Sequence, residues 1–379
     1  MKNLALLLLF ILTISMDAQV IYEPFYSSKL DQTREIKIQL PRNYNPEAKN
    51  KYPLVIVLDG DYLFEPFAGN LDYQAYWGEI PKSIVVGINQ VNTRDTDLFY
   101  DSEIYFPAHE GASFFEFIGM ELIPFIESKY NVSDFRIVAG HDASANFINY
   151  YMFKDNPIFK AYILFSPDLA PEMTTRVRER LTTLNTDTFY YVATSDNDIS
   201  QLKDKILTHN SQLAGLSNPK IHYRFDNFTE ADHYSLVGLG IPRVLNAIFA
   251  LYKPINKQEY TTQMLTYEGG PFKYLEKKYN DIKLIYGFEK KVVENDMKAV
   301  VAAAAIKTDL EAFKELSKLA RKEFPESMIS AYYTGLYYEQ ENNSKKALQY
   351  YQSGLLLKPS EYVDKDVLLD KIYTIKGEN

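Results

Sequence analysis

Between Arg34 and Leu40 the polar residues Glu35, Lys37 and Gln39 alternate with Ile36, Ile38 and Leu40, the period-two pattern of a half-exposed strand. Two continuous apolar runs follow, Leu54–Leu58 and Ile84–Ile88, and runs of this kind belong to strands covered on both faces. From Phe114 to Tyr130, apolar residues at 114, 115, 118, 122, 125 and 126 keep helical spacing. Short buried strands are predicted at Arg136–Ala139, Ala161–Phe165, Phe189–Ala193 and Ile221–Phe225. A helix after Pro242, carrying Val244, Leu245, Ile248 and Leu251, closes the unit near Lys253. Strands alternating with helices predict an α/β fold, a three-layer sandwich around a mostly parallel sheet. In such sheets chemistry gathers at the carboxyl ends of the strands.

Beyond Pro254 the pattern changes to Lys, Glu, Ala and Tyr at helical periodicity. Pro325 and Pro359 are 34 residues apart, the tetratricopeptide period. Gly335, Tyr338, Ala347, Tyr351 and Pro359 occupy the small, aromatic and terminating positions of one such unit, whereas the preceding stretch offers only Ala320 and Pro325. One unit cannot bury its faces alone, so helices near 294–307 and 361–375 are expected to flank it. A generic helical bundle is the alternative. The tail is expected to mediate contacts and shows no chemistry of its own.

At the other end, Lys2, an apolar run from Leu4 to Ile14 and a small residue at Ala18 read as a secretory leader. The run is too short for a comfortable membrane span, and no second one follows; a retained anchor is the alternative. The chain therefore divides into a leader (1–18), an α/β domain (19–255), a helical connector (256–295) and an all-α repeat-like domain (296–379). With no cysteine there is no lipid-anchor cysteine, no disulfide and no thiolate metal site. A secreted or periplasmic protein is expected, with no membrane span after cleavage. Lysine and arginine total 41 against 50 for aspartate and glutamate, a net charge of −9, which argues against nucleic acid or an anionic membrane surface as partner. The 31 tyrosines could line an aromatic or sugar-binding groove, but scattered tyrosine belongs more often to core and strand surface.

The candidate chemistry starts where strand 136–139 runs into Gly140-His141-Asp142-Ala143-Ser144-Ala145 and a helix follows. Strand, tight turn and helix are the setting of a nucleophile elbow, G-x-S-x-G. Here Asp142 stands at the serine position and Ser144 at the second glycine. The remaining members of a triad appear in the expected order. Asp196 and Asp198 follow strand 189–193 as candidate acids, and His233 follows strand 221–225 as candidate base. His209 and His222 read as structural, and His141 as packing.

These segments resemble the esterase family of α/β-hydrolases that contains the enterochelin esterases. The resemblance rests on Tyr52–Gly60, Val85–Ile88 with Arg94-Asp95, Gly111-Ala112 with Phe114–Tyr130, Gly140-His141, Phe165-Ser166-Pro167 and Asp232-His233, in order over about 34–252. It implies a serine hydrolase of carboxylic esters, small siderophore- or sugar-linked esters among them, without a cofactor, a metal or a large cap. It also implies an oxyanion hole at the backbone N–H of Ala143 and of Gly60 or Asp61.

Asp142 interrupts that chemistry at its first step. A carboxylate attacking an ester would have to form a mixed anhydride, and an anion beside the oxyanion hole competes with the developing charge. Four routes stay open. The site is inactive and the protein binds a ligand or scaffolds a partner through residues 296–379; Asp142 attacks an sp3 carbon; Ser144 or another hydroxyl substitutes; or Asp142, His233 and Asp196 or Asp198 hold a divalent cation.

Overall fold

A computed structural model describes residues 20–377, so the expected leader lies outside the described residues. Eight strands form one sheet in the order β1-β2-β4-β3-β5-β6-β7-β8. They are β1 (Val20–Ser27), β2 (Gln32–Gln39), β3 (Tyr52–Val57), β4 (Ile84–Ile88), β5 (Val132–His141), β6 (Ala161–Phe165), β7 (Thr188–Asn197) and β8 (Ile221–Asp232). β1 and β2 pair antiparallel, as do β2 and β4, and every other pair is parallel. The α/β sandwich read from the sequence is the fold observed.

Two details differ from the pattern. β1 was not expected; its Pro24 is tolerated because the strand lies at the sheet edge. β2 is far more buried than its alternation suggests, since Arg34, Lys37 and Gln39 are all enclosed. Each polar head has a partner: Lys37 Nζ donates to the Gly60 carbonyl at 3.0 Å and Glu65 at 2.6 Å, Gln39 donates to the Ala68 carbonyl at 3.1 Å, and Arg34 pairs with Asp97. Alternation records which residues are polar, and it is blind to partners that make burial affordable.

Helices cover both faces. Phe114, Phe117, Ile118, Phe147, Tyr151, Val177, Leu181 and Ile206 pack with Leu54, Ile56, Val138, Leu164 and Val192 in one continuous core. On the opposite face Phe67, from the helix Phe64–Tyr76, meets Phe165 at 6.1 Å between ring centroids. Many tyrosines are core residues: Tyr151, Tyr162, Tyr190 and Tyr191 are fully enclosed.

His209, on the helix Ser200–Leu213, is fully buried between the Tyr190 hydroxyl (3.1 Å) and Thr174 Oγ1 (3.0 Å). Burial pushes its pKa down to about 4. The unfolded chain therefore binds more protons than the native one between about pH 6.5 and 4, and the stability present above that window is lost as the pH falls through it. Wild type is expected to lose about 3 kcal/mol more than His209→Gln between pH 7 and pH 4, read from urea midpoints. Equal losses in the two proteins would refute the assignment.

The first compact unit ends at Phe249 and the second begins at Ala250. Tyr252 belongs to the second because its ring meets Phe288 at 6.1 Å and carries the Lys290 ammonium at 4.1 Å. The second unit is helical, with its longer helices at Pro271–Tyr286, Glu294–Lys307, Leu310–Glu323, Met328–Gln340, Ser344–Gly354 and Lys365–Lys376. Helices 328–340 and 344–354 cross where Gly335 leaves room for Tyr351; a Cβ there would stand 2.3 Å from that ring.

Candidate functional site

Three strands of the first unit end in non-glycine residues with positive φ. Asp59 follows β3 and Leu58 at +52°, Asp142 follows β5 at +58°, and Ser166 follows β6 at +41°. Such conformations are strained for side chains larger than glycine, and they gather where structure is organised for function. At the elbow, Gly140 is required because a Cβ would lie 2.7 Å from the Ala145 nitrogen of the returning helix. The turn is closed by Asp142 N–H donating to the Phe165 carbonyl at 3.0 Å and by Asn146 N–H donating to the Asp142 carbonyl at 3.2 Å.

The ends of β7 and β8 bring an acid and a base together. Asn197 pairs with Asp232, so the next residues, Asp198 and His233, emerge side by side. Asp198 Oδ1 lies 2.9 Å from His233 Nδ1. Asp198 also accepts from Thr194 Oγ1 at 2.6 Å, Ser166 Oγ at 2.8 Å and the Ile199 N–H at 2.8 Å. Burial alone would raise its pKa, but the hydrogen bonds from His233, Thr194, Ser166 and Ile199 outweigh it and bring the value down to about 2. Asp196, the other candidate acid, is exposed and bonds Lys203 (3.2 Å) and Asn227 (2.9 Å), not His233.

The Asp142 carboxylate is about 30% exposed and faces Arg94, whose Nη1 and Nη2 lie 3.4 and 3.5 Å from Oδ2. Arg94 is held more tightly elsewhere. Its Nε is 2.7 Å from Asp59 Oδ1, its Nη2 is 3.2 Å from Asp59 Oδ2, and the same Nη2 donates to the His141 carbonyl at 3.1 Å. No hydrogen bond joins Asp142 to His233 among the described residues. Ser144, the substitute hydroxyl considered from sequence, is fully buried: Oγ donates to Asp59 Oδ2 at 2.6 Å and accepts from the His141 N–H at 2.9 Å. Its oxygen is committed to that cluster.

The backbone donors divide unequally. Gly60 N–H donates to the Ile88 carbonyl at 2.8 Å and is not free for an oxyanion, whereas no acceptor is seen for the N–H of Asp61 or Ala143 among the described residues. His141 does more than pack. Its ring bonds the Tyr62 hydroxyl (3.1 Å) and the His233 carbonyl (2.9 Å), and lies 4.4 Å from the His233 ring. Burial, and then the neighbouring His233, lower its pKa. Tyr62 and Tyr234, both exposed, flank that ring at 5.9 and 6.2 Å. No group of three or more His, Asp or Glu side chains is arranged to hold a metal ion among the described residues.

Residues 27–225 match the putative esterase family over more than half of the chain. The chain belongs to that family. An uncharacterised protein from Capnocytophaga ochracea DSM 7271 is similar at 30% identity and a TM-score of 0.83, over 95% of this chain and all of the other. An IroE-like serine hydrolase from Shewanella oneidensis shares the fold at 21% identity and a TM-score of 0.61, over 80% of this chain and 99% of its own. A siderophore hydrolase from Aspergillus nidulans does so at 17% identity and 0.51, over 62% and 96%. No curated protein matches. Within this esterase-family chain, sequence reasoning passed over Arg94, Asp59, Ser166 and Tyr62 as site residues. One signal was available: an aspartate directly after a buried strand, as Asp59 is, needs a cation, and Arg94 belongs to a segment already singled out. No helix among the described residues is long and apolar enough to cross a membrane.

Proposed function

We propose that the first unit binds a small carbonyl ligand, an ester by family, at the partly exposed elbow around Asp142, and that it does not turn this ligand over through an acyl-serine. The observation that carries this reading is Asp142 itself, which sits at the strained elbow position and leans on Arg94 with no bond to His233. Ser144 is no replacement, being locked to Asp59. Ser166 reaches His233 on the Nδ1 side, at 3.0 Å, where it shares the proton network of Asp198 and does not meet the ring nitrogen that a nucleophile uses. The free N–H groups of Ala143 and Asp61 supply the donors for the ligand carbonyl. Siderophore hydrolysis, named for the Aspergillus protein, supports only the general class of small-molecule ester here.

A second reading, residual hydrolysis, is favoured by one observation: the Asp198–His233 pair is assembled and oriented as in a working base. A panel of p-nitrophenyl esters separates the two. Wild type and His233→Ala are expected to show the same background rate; a rate that falls by more than about tenfold in His233→Ala would overturn the binding reading in favour of catalysis. Export through the leader of residues 1–18, and partner contact through a repeat-like tail at 296–379, belong to the same proposal, which sees the protein as a secreted binder with a docking segment.

A further inference from the structure

A cavity of about 510 Å³ opens in the first unit, and none of the elbow residues lines it. Its walls are aromatic. Phe106 meets Tyr150 at 5.7 Å and Phe153 at 6.0 Å between ring centroids, and Phe115 stacks on Tyr151 at 4.2 Å. Two departures from regular backbone shape it. The helix that begins at Glu110 widens into a π-helical turn over Phe117–Leu122, and Gly119 and Met120 of that turn line the cavity. Such turns are uncommon and recur at functional sites. Phe106 is carried between two non-glycine residues of positive φ, Tyr105 at +54° and His109 at +51°. At Gly119 a Cβ would find only the Ile158 side chain, at 3.7 Å, so the wall stands open there. Phe106 and Met120 remain 37% and 62% exposed.

The charges around this chamber do not cancel. Glu116 is paired with Lys29 at 2.7 Å. Arg176 lies 4.6 Å from the centre of the Phe106 ring but is paired with Glu172 at 2.6 Å. Lys154 is exposed, its ammonium lies 5.1 Å from the centre of the Phe115 ring, and no carboxylate pairs with it among the described residues. An apolar chamber with one unmatched cation at its wall suits an amphiphilic anion. The hydrocarbon part leaves water for apolar contact, and the carboxylate gains a charge-assisted hydrogen bond; a neutral ligand gains only the first. We propose that this cavity binds a medium-chain fatty acid, with its chain between Phe106, Phe115 and Tyr150 and its carboxylate on Lys154. The site is separate from the elbow and does not depend on what the elbow binds.

The test compares octanoate with octanamide, which share a chain and differ in charge at about pH 7, where the acid is ionised. In titration calorimetry on the full chain, wild type is expected to bind octanoate at least about fivefold more tightly, and high salt should shrink that ratio. Lys154→Gln should bring the ratio close to one while the affinity for octanamide holds. Gly119→Leu, which sends a side chain into the open part of the wall, should abolish binding of both, with its urea midpoint read alongside to show that it folds. Equal binding of the two ligands by wild type, or a preference unchanged in Lys154→Gln, would overturn the assignment of the carboxylate to Lys154. Octanoate binding that survives in a folded Gly119→Leu protein, or binding of neither ligand by wild type, would overturn the cavity as the site. If Gly119→Leu does not fold, the Lys154→Gln ratio decides alone.

Discussion

Asp142→Ser is expected to gain His233-dependent esterase activity, with kcat/KM on p-nitrophenyl butyrate at least about 100-fold above wild type. On the proposed reading, the site lacks only its nucleophilic group. The elbow holds residue 142 at φ +58° through backbone bonds to Phe165 and Asn146, none of which depends on the side chain. The acid stays ionised at any neutral pH because its pKa is near 2, so His233 remains oriented. Among the described residues no acceptor is seen for the N–H of Ala143 or Asp61, the donors proposed for an oxyanion. Removing the carboxylate also removes the anion that would repel the tetrahedral intermediate. The double variant Asp142→Ser, His233→Ala is expected to fall back to background. A folded Asp142→Ser protein without His233-dependent turnover would mean that Nε2 of His233 cannot reach the elbow, and the idea of a site lacking only its nucleophile would be abandoned.

Arg94→Met is expected to lower the unfolding free energy by about 3–5 kcal/mol. The loss comes from Asp59, which is about 1% exposed and has Arg94 as its cation. Without the guanidinium, a buried carboxylate keeps only the hydrogen bonds from Ser144 and Tyr62, at 2.6 and 3.2 Å, and these do not supply a compensating charge. Asp142→Asn touches the same arginine at its loose outer contact and is expected to cost less than about 1 kcal/mol. Urea midpoints for the two variants against wild type measure the difference. Near-equal midpoints would show that Asp59 does not depend on Arg94.

The fold was legible because its signals are collective. Continuous apolar runs at 54–58 and 84–88, followed by helical spacing from Phe114 to Tyr130, leave little choice other than a mostly parallel sheet. The elbow was legible because a strand, a glycine, a tight turn and a helix occur together at 136–147. The acid was not: Asp196 and Asp198 differ by two residues, and a register shift between Ser195 and Asn197 decides which one meets His233. Gly60 and Asp61 posed the same problem, since only the three-dimensional position of Ile88 shows that the first N–H is already used. Arg94 was only half signalled, for a different reason. Its three anchors, Asp59, Asp142 and the His141 carbonyl, come from two separate turns, and pairings between turns leave no periodicity. Ser166 gave no warning either, because nothing local announces a serine at φ +41°.

The pairing of Asn197 with Asp232 has a consequence for how this site could change over time. Acid and base are neighbours because two adjacent strands stop level with each other, and the same ladder is needed to hold the sheet edge. Drift in catalytic function therefore has little purchase on their geometry. The elbow residue is different, since its backbone turn is held by bonds that its side chain does not make. Such a site is modular: the half that activates is kept by the scaffold, and the half that reacts is exchangeable. In such a site one substitution at the elbow would exchange the reacting group while the paired acid and base stay in place.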